Sequence, residues 1–249
     1  MERKLEDKVA LVTGLGRKGG IGFTLAKSLA KEGCSVFFSY FHVYGEESGF
    51  DETLHELRKE NVSVEGLKVD LSVASSAELL FAEALKKFGK VDILINNAAC
   101  SENDSLSSIS AESIDRHYFV NVRTPILLVR EFLKFFKGED GGRVINITSG
   151  QAVGPLPDEL AYVASKAALD TFMKSAAEVL MKRGITINSV DPGATDTGWM
   201  NEEMREDFSR RSPLGRVGTP EDLARLVLFL ASSDSGYITG QVIHSRGGV

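Results

Sequence analysis

The stretch Lys8–Gly22, KVALVTGLGRKGGIG, decides the fold of this 249-residue chain. Its first residues form a short apolar run that ends in turn residues, which predicts a buried β-strand. A helix is predicted directly afterwards, from about Ile21 to Lys31, and Gly33 ends it. A glycine-rich loop between a strand and a helix lets the backbone approach a pyrophosphate, whose charge the helix N-terminus favours. This order of elements therefore predicts a dinucleotide-binding site.

The remainder of the chain alternates between short apolar runs and segments with helical periodicity. Strands are predicted at residues 8–13, 34–40, 64–69, 91–95, 143–148, 185–190 and 241–244. Helices are predicted at about 21–31, 52–60, 74–88 and 111–136, in a segment that carries Tyr162 to about 183, and in a last segment that Thr219 caps. This alternation favours a parallel sheet with helices on both faces. We predict an α/β fold, in which residues 1–249 form a single Rossmann-fold domain around a doubly wound, seven-stranded parallel sheet.

Several segments carry more specific predictions. Pro125 removes a backbone donor inside the helix 111–136 and predicts a kink there. Leu79 and Phe229 are expected on the buried faces of their helices. Residues 42–50 are predicted as a loop, and the polar segment at about 198–214 as a mobile lid near the substrate.

Composition excludes several classes of function. The net charge of −6 and the pI near 5.4 argue against nucleic-acid binding. No apolar run approaches the roughly 18 residues that span a bilayer, and the N-terminus lacks the apolar core of a signal peptide. Two cysteines and four scattered histidines form neither a disulfide framework nor a metal-ligand pattern. We expect a cytoplasmic protein without a metal, a nucleic-acid partner or a membrane partner.

A second stretch, Ser149–Lys166, carries acid–base chemistry. Tyr162 and Lys166 are four residues apart on a predicted helix, which places them one turn apart on one face. A phenol with a pKa of about 10 is a poor acid at neutral pH. A cation one turn away lowers that pKa, and the Ser149 hydroxyl can hold a carbonyl oxygen. These groups suit the interconversion of an alcohol and a ketone, given a hydride carrier.

The second predicted strand bears on which carrier is used. In dinucleotide-binding folds an acidic residue at its end binds the adenosine ribose, whereas a basic neighbour accommodates a 2′-phosphate. The strand here ends in Ser39-Tyr40-Phe41-His42 without an acid, while Arg17 and Lys18 lie in the glycine loop. We favour NADP(H) over NAD(H); the alternative is that both basic side chains are merely solvated.

Taken together, these residues resemble the short-chain dehydrogenase/reductase family over nearly the whole chain, from Lys8 to Gly248. The motifs that carry the resemblance are Thr13-Gly14 with Gly20-Ile21-Gly22, Asn96-Asn97-Ala98, Asn121, Ser149, Tyr162-x-x-x-Lys166, and Pro192-Gly193 with Thr197. Two departures accompany it. Five residues separate Gly14 from Gly20, a two-residue insertion, and Ala99 stands where the family usually has glycine.

The resemblance implies a role for each matching residue. The implied catalytic set is Asn121, Ser149, Tyr162 and Lys166. Tyr162 would act as general acid and base, and Lys166 would lower the pKa of Tyr162 and hold the nicotinamide ribose. Ser149 would polarise the carbonyl, and Asn121 would hold a water that resupplies the proton. The cofactor-binding set is Gly14, Arg17, Lys18, Gly20, Ile21, Asp70, Leu71, Asn97, Ala98, Tyr162, Lys166, Pro192, Gly193, Thr195 and Thr197. The expected substrate contacts are Ser149, Gln151, Val153, Leu156, Tyr162 and Trp199. Asn96 is expected to tie neighbouring strands together.

The leading functional hypothesis is an NADP(H)-dependent ketone or aldehyde reductase. The alternative is a 3-oxoacyl-carrier-protein reductase, because the segment Tyr237–Gly240 resembles the corresponding segment of those enzymes. Such enzymes carry basic docking residues at the positions that Leu127 and Glu178 occupy here. Enoyl reductases usually space the Tyr and Lys more widely, so the four-residue spacing here argues against that class. A non-catalytic NADP(H)-binding sensor usually lacks one of the two residues, so the presence of both argues against that class as well. A small-molecule carbonyl or alcohol substrate is expected. Family resemblance and the apolar segment Ile126–Phe136 favour a homotetramer, with a dimer as the alternative.

Overall fold

Seven parallel strands form one sheet in the computed structural model, which describes residues 3–41 and 50–248. The strands are β1 Val9–Val12, β2 Ser35–Tyr40, β3 Val64–Lys68, β4 Ile93–Asn96, β5 Gly142–Ile147, β6 Ile185–Asp191 and β7 Val242–His244. Their order across the sheet is β3-β2-β1-β4-β5-β6-β7. The predicted α/β Rossmann fold is confirmed, and each predicted strand is present with ends shifted by at most two residues.

Eight α-helices cover the sheet within the same described residues. They are α1 Ile21–Lys31, α2 Phe50–Arg58, α3 Ser76–Phe88, α4 Ala111–Tyr118, α5 Thr124–Phe135, α6 Leu160–Met181, α7 Glu202–Arg211 and α8 Pro220–Ala231. Thr219 caps α8 as predicted, because its hydroxyl accepts from the Asp222 N–H while Asp222 accepts from the Thr219 N–H. Most of the loop predicted at 42–50 lies outside the described residues, and Phe50 already belongs to α2.

The helices pack on both faces of the sheet, as predicted. Along β2, Val36 and Phe38 point into the core shared with α1 and α8, whereas Phe37 points into the core shared with α3, α5 and α6. Alternation along a strand requires this division, because successive side chains leave opposite faces. Among the described residues, no helix combines the length and the apolar character needed to cross a membrane.

The long helix predicted at 111–136 is present, with α4 and α5 joined by a π-helical segment, Phe119–Arg123. The π-helical segment lies before Pro125, which stands in the first turn of α5. A π-helical turn inserts an extra residue, and such turns are frequent at functional sites. Asn121 lies inside this one.

Two apolar side chains expected in the core are substantially exposed. Leu79 in α3 is 48% exposed and Phe229 in α8 is 39% exposed. The buried stripe of α3 instead runs through Ala77, Phe81 and Ala84, which follow a spacing of four and three residues. Leu79 lies outside that stripe, so helical geometry directs it away from the sheet.

The strand order places a binding crevice between β1 and β4. The chain proceeds outward from β1 to β2 and β3, and then returns to add β4 on the other side of β1. In open parallel sheets, ligands bind at the carboxyl ends of strands where this reversal occurs. Here those ends carry Thr13-Gly14 and Asn96-Asn97.

Candidate active site

The glycine loop is packed against the end of β4. Gly14 has a φ of 75°, and a Cβ on it would lie 2.5 Å from the Cα of Ala98. A Cβ on Gly22 would lie 2.6 Å from the carbonyl oxygen of Gly14. Side chains at either position would push β1, β4 and α1 apart, so these glycines are required by close backbone approach.

Hydrogen bonds from Asn97 fix the same junction. Its Nδ2 donates to the carbonyl oxygens of Thr13 at 2.9 Å and Gly14 at 3.0 Å. The Thr13 hydroxyl accepts from the backbone N–H groups of Asn97 and Ala98, both at 3.1 Å. Asn96 also joins strands, because its Nδ2 donates to Asn146 Oδ1 at 2.9 Å. The side chains of Asn96 and Asn97 therefore hold the sheet together, and a contact of Asn97 with a cofactor ribose stays a prediction.

The inserted part of the glycine loop leaves room for phosphate groups. A Cβ on Gly16 or Gly19 would meet nothing within 4 Å. The N-terminus of α1 follows at once, and its N-cap, Gly20, offers no side-chain hydrogen bond to the first turn. Exposed N–H groups and the positive end of the helix dipole suit an anion there. The residues at this edge of the sheet thus fit the pyrophosphate of a dinucleotide.

The two basic residues of the loop both have partners. Arg17 donates to the Thr197 hydroxyl at 3.2 Å and so links the loop to the segment after β6. Lys18 lies 3.0 Å from Glu56 of α2, which Lys27 also approaches at 2.6 Å. Hydrogen bonds from these two lysines lower the pKa of Glu56 to about 2. The structure therefore brings Arg17 and Thr197 together, as the predicted cofactor site requires.

Asp70 and Leu71 close the loop after β3. Asp70 Oδ1 accepts from the Ser72 N–H at 2.8 Å, and the Leu71 carbonyl accepts from the Thr124 hydroxyl at 2.6 Å. These bonds hold the loop between α3 and α5. The predicted contact of both residues with an adenine ring stays a prediction.

The residues predicted to be catalytic come from two neighbouring elements. Ser149 follows β5, and Tyr162 lies in the first turn of α6. The Ser149 hydroxyl acts to lower the pKa of the Tyr162 phenol. The start of α6 is held from outside the helix, because Asp104 Oδ1 accepts from the Leu160 N–H at 2.6 Å. A carboxylate at a helix N-terminus stabilises the first turn. Asp104 therefore helps to fix the position of Tyr162.

Lys166 lies deep under the site. Its Nζ donates to the Ile147 carbonyl at 2.8 Å and lies 5.6 Å from the centroid of the Tyr162 ring. Only 2% of its surface is exposed. Burial lowers the pKa of Lys166 to about 8, because a low-dielectric surrounding disfavours the ammonium. Asp170, one turn further along α6, acts in the opposite direction.

The expectation that Lys166 lowers the pKa of Tyr162 is not met by this arrangement. Burial raises the pKa of Tyr162 to about 12, and the hydrogen bond with Ser149 opposes that rise only in part. The charges of Glu159 and Asp191 raise it further. The reason is geometric, since the amine is directed to the Ile147 carbonyl. The phenol is therefore protonated at neutral pH.

Asn121 anchors the site through its side chain. Its Oδ1 accepts from the Cys100 N–H at 2.7 Å, and its Nδ2 donates to the Cys100 carbonyl at 2.8 Å and to Ser165 Oγ at 3.0 Å. These bonds tie the loop after β4 to α6, next to Lys166. The water-holding role of Asn121 stays a prediction.

The expected substrate residues occupy different surroundings. Val153 is 46% exposed, Leu156 is half-buried, and Trp199 is 51% exposed with its Nε1 bound to the Thr195 carbonyl at 3.2 Å. Gln151 instead points inward, where its Nε2 donates to Asp170. Burial raises the pKa of that carboxyl. Gln151 is thus engaged with α6 rather than turned towards an open pocket.

The predicted lid contains α7 and is joined to the core through charged side chains. Arg205 of α7 lies 2.6 Å from Asp196. A cavity lies between α7 and the chain end, lined by residues that include Phe208, Leu214 and Arg246. Within residues 3–41 and 50–248, no three His, Cys, Asp or Glu side chains lie close enough together to hold a metal ion.

Sequence reasoning missed one charged cluster at the site. Asp191, the last residue of β6, is completely buried and accepts from His244 Nδ1 at 2.9 Å and from an Arg246 guanidinium nitrogen at 3.1 Å. The signal was an acidic residue at the end of a predicted strand, directly before Pro192. Its partners could not be read from spacing, because they lie more than 50 residues away.

Comparisons with known proteins agree with this architecture. The chain matches, over residues 14–249, the family model described as "Enoyl-(Acyl carrier protein) reductase". An uncharacterized oxidoreductase of Bacillus subtilis (strain 168), YjdA, is 44% identical over 98% of this chain and 97% of its own length. Tetrahydroxynaphthalene reductase of Pyricularia oryzae is 37% identical over 98% of this chain and 90% of its own length.

Solved structures are similar over the same extent. A short-chain dehydrogenase/reductase from Serratia marcescens has a TM-score of 0.89 and 32% identity, covering 98% of both chains. The angucycline C-6 ketoreductase LanV, determined with bound NADP, has a TM-score of 0.88 and 35% identity, covering 98% of this chain and 96% of its own. With the family model, the relatives and the Ser149–Tyr162–Lys166 geometry in agreement, the chain belongs to the short-chain dehydrogenase/reductase family.

Proposed function

We propose that this oxidoreductase is an NADP(H)-dependent reductase of ketones or aldehydes. The observation that carries the proposal is the placement of Ser149 directly after β5 and of Tyr162 in the first turn of α6, with the Lys166 amine fixed 5.6 Å from the Tyr162 ring. A proton donor and a hydroxyl at one point can bind a carbonyl oxygen between them. The ketoreductase similar to this chain supports the same chemistry.

Each catalytic side chain has a distinct part in this reaction. A bound nicotinamide supplies the hydride; the glycine loop, the α1 N-terminus and the segment Pro192–Thr197 are the groups that would hold the cofactor. Ser149 holds the carbonyl oxygen and Tyr162 donates the proton to it as the alkoxide develops. Lys166, fixed by the Ile147 carbonyl, is the residue that would hold the nicotinamide ribose. Asn121 keeps α6 in register with the loop after β4.

A panel of carbonyl compounds, followed by NADPH absorbance, tests the proposal. Fused-ring aromatic ketones come first, because LanV and the tetrahydroxynaphthalene reductase are named for such substrates. We expect NADPH oxidation that depends on one or more of these ketones and is lost in the Ser149→Ala variant. A protein that binds NADPH but reduces no member of the panel would instead support the non-catalytic sensor.

The preference for NADP(H) over NAD(H) rests on Arg17 and Lys18, and the NADP-bound LanV supports it. We expect Arg17→Ala and Lys18→Ala each to weaken NADPH binding by about tenfold, because each removes a charged hydrogen bond to the 2′-phosphate. NADH binding is expected to change by less than about twofold. Fluorescence titration measures both. Lys31→Ala, at the other end of α1, makes the same charge change as a control; equal weakening of both cofactors would contradict the assignment.

The two other reductase classes have less support. Leu127 on α5 is half-buried, and Glu178 on α6 is paired with Lys182 at 3.4 Å, so the positions expected to dock an acyl carrier present little positive charge. The description of the matched family model names enoyl reduction. However, the Tyr162–Lys166 spacing is the one we associate with carbonyl reduction.

The protein is further proposed to be a cytoplasmic homotetramer with a lid at about 198–214. Val179 and Met181 on α6 are 55% and 41% exposed, and Tyr237 is fully exposed, which supports apolar contacts between subunits. Cys34 and Cys100 are both unpaired, as a reducing compartment favours. Sedimentation equilibrium measures the mass of the assembly directly.

A further inference from the structure

The chain end after β7 enters the active-site region through one arginine. A Cβ placed on Gly150, the residue after Ser149, would lie 1.9 Å from a terminal nitrogen of Arg246. A Cβ on Gly193 would lie 3.0–3.2 Å from the Cγ, Cα and Cβ atoms of the same arginine. Arg246 therefore fills the space between the Ser149 segment and the segment after β6, and glycine at position 150 makes room for its guanidinium.

A buried carboxylate holds the arginine in that place. Asp191 Oδ2 accepts from Arg246 at 3.1 Å and from His244 Nδ1 at 2.9 Å, while its Oδ1 accepts from the Gly193 N–H at 2.9 Å. Asp191 is fully buried, and a buried carboxylate is tolerated only where it is paired and hydrogen-bonded. The three bonds connect the end of β6, the following turn and the chain end at one point.

We propose that Arg246 is a positioning residue of the reductase site: held by Asp191, its guanidinium supports Gly150 and so fixes where Ser149 presents its hydroxyl. The proposal rests on the proposed carbonyl reductase function. Arg246 acts through the position of Ser149 relative to Tyr162, and a small displacement of such a pair is costly to catalysis. None of the motifs that identify the family includes this arginine.

The same ion pair contributes to the charge around Tyr162, where burial and Glu159 have larger effects on the phenol. The charged groups around the phenol are Glu159 and Lys166 from α6, Asp191 from β6, and, through Asp191, Arg246 and His244 from the chain end. Asp191 raises the pKa of Tyr162 because a negative charge disfavours the phenolate. Arg246 offsets that charge, so loss of Arg246 and loss of Asp191 act on the phenol in opposite directions.

A double-mutant cycle tests the contact itself. Gly150→Ala is expected to lower the melting temperature and to reduce kcat by about tenfold or more, with the KM for NADPH unchanged, because the new methyl displaces the guanidinium. In an Arg246→Ala background, Gly150→Ala is expected to cause no further loss. Gly154→Ala, where a Cβ meets nothing within 4 Å, is the control for stability. Additive losses in the double variant would overturn the proposal.

The pH dependence of alcohol oxidation separates positioning from a general structural role. Oxidation needs the tyrosinate, so its rate rises as Tyr162 loses its proton. Arg246→Met is expected to move that rise to higher pH and Asp191→Asn to lower pH, whereas Arg246→Lys keeps the wild-type profile. If Arg246→Met and Asp191→Asn moved the rise in oxidation rate in the same direction, the inference would be wrong. If Asp191→Asn does not fold, Arg246→Met and Arg246→Lys still test the charge argument. An unchanged pH dependence of oxidation in Arg246→Met overturns that argument.

The two proposals fail separately. If the wild-type protein reduces no carbonyl compound, the proposed function is wrong, and the melting temperatures of the Gly150 and Arg246 variants still report whether the contact exists. If the wild type is active and the cycle is additive, the reductase function stands and the role of Arg246 is wrong.

Discussion

Tyr162→Phe is expected to lower kcat for carbonyl reduction by about a thousandfold, because it removes the hydroxyl that we propose protonates the alkoxide. The substitution deletes a single hydroxyl and keeps the ring that packs at the start of α6. NADPH absorbance with the best ketone of the panel measures the effect. The melting temperature and the Kd for NADPH are expected to stay close to the wild-type values.

Tyr118→Phe provides a matched control for that prediction. Tyr118 ends α4 and is 37% exposed, so loss of its hydroxyl removes no group of the site. Full activity of Tyr162→Phe would show that another group delivers the proton, and the mechanism proposed above would be wrong.

Gly14→Ala is expected to lower the free energy of unfolding by about 2–5 kcal/mol. Two costs add in this variant: alanine at a φ of 75° is strained, and its Cβ would lie 2.5 Å from the Cα of Ala98. Neither the Gly14 backbone nor the Ala98 backbone can move away without separating β1 from β4. Urea unfolding followed by circular dichroism measures the loss, and cofactor binding is expected to weaken with it.

Two glycines of the same loop separate these costs. Gly19→Ala has the strained φ, 83°, but open space around its Cβ, and is expected to cost about 1–2 kcal/mol. Gly16→Ala has open space and no positive φ, and is expected to cost less than about 0.5 kcal/mol. Equal losses at positions 14, 16 and 19 would show that close packing against Ala98 is not the cause.

The strand–loop–helix order was readable because each signal is local. The apolar run of β1, the glycines after it and the periodicity of α1 lie within one stretch, so the element order and the parallel sheet follow from short-range pattern. The four-residue spacing of Tyr162 and Lys166 is local in the same sense. Helical geometry alone places both side chains on one face.

The pKa of Tyr162 could not be predicted from local sequence in this way. The sequence pairs Tyr162 with Lys166, and from that pair alone the pKa of the phenol should fall. The folded chain buries Lys166, half-buries Tyr162 and directs the amine to the Ile147 carbonyl, so desolvation dominates and the pKa of Tyr162 rises to about 12. Desolvation depends on what covers a side chain, and distant segments of the chain provide that cover.

The π-helical segment within the predicted helix 111–136 has a similar origin. Pro125 is a visible helix breaker, and it lies in the first turn of α5. The π-helical segment lies upstream, at Asn121, whose bonds to Cys100 and Ser165 come from the loop after β4 and from α6. Helix propensity depends on the local sequence and carries no information about such distant partners.

By itself, the sequence determined the fold and pointed to the glycine loop and to Ser149, Tyr162 and Lys166 as the proposed site, because backbone periodicity and short spacings carry that information. Only the tertiary structure decided how these residues are held. It brought Asp104 to the start of α6, Asn97 to the Thr13–Gly14 turn, and Arg246 to Gly150 through Asp191. Each of these contacts joins residues more than 50 positions apart, and chain folding rather than chain order sets which of them meet.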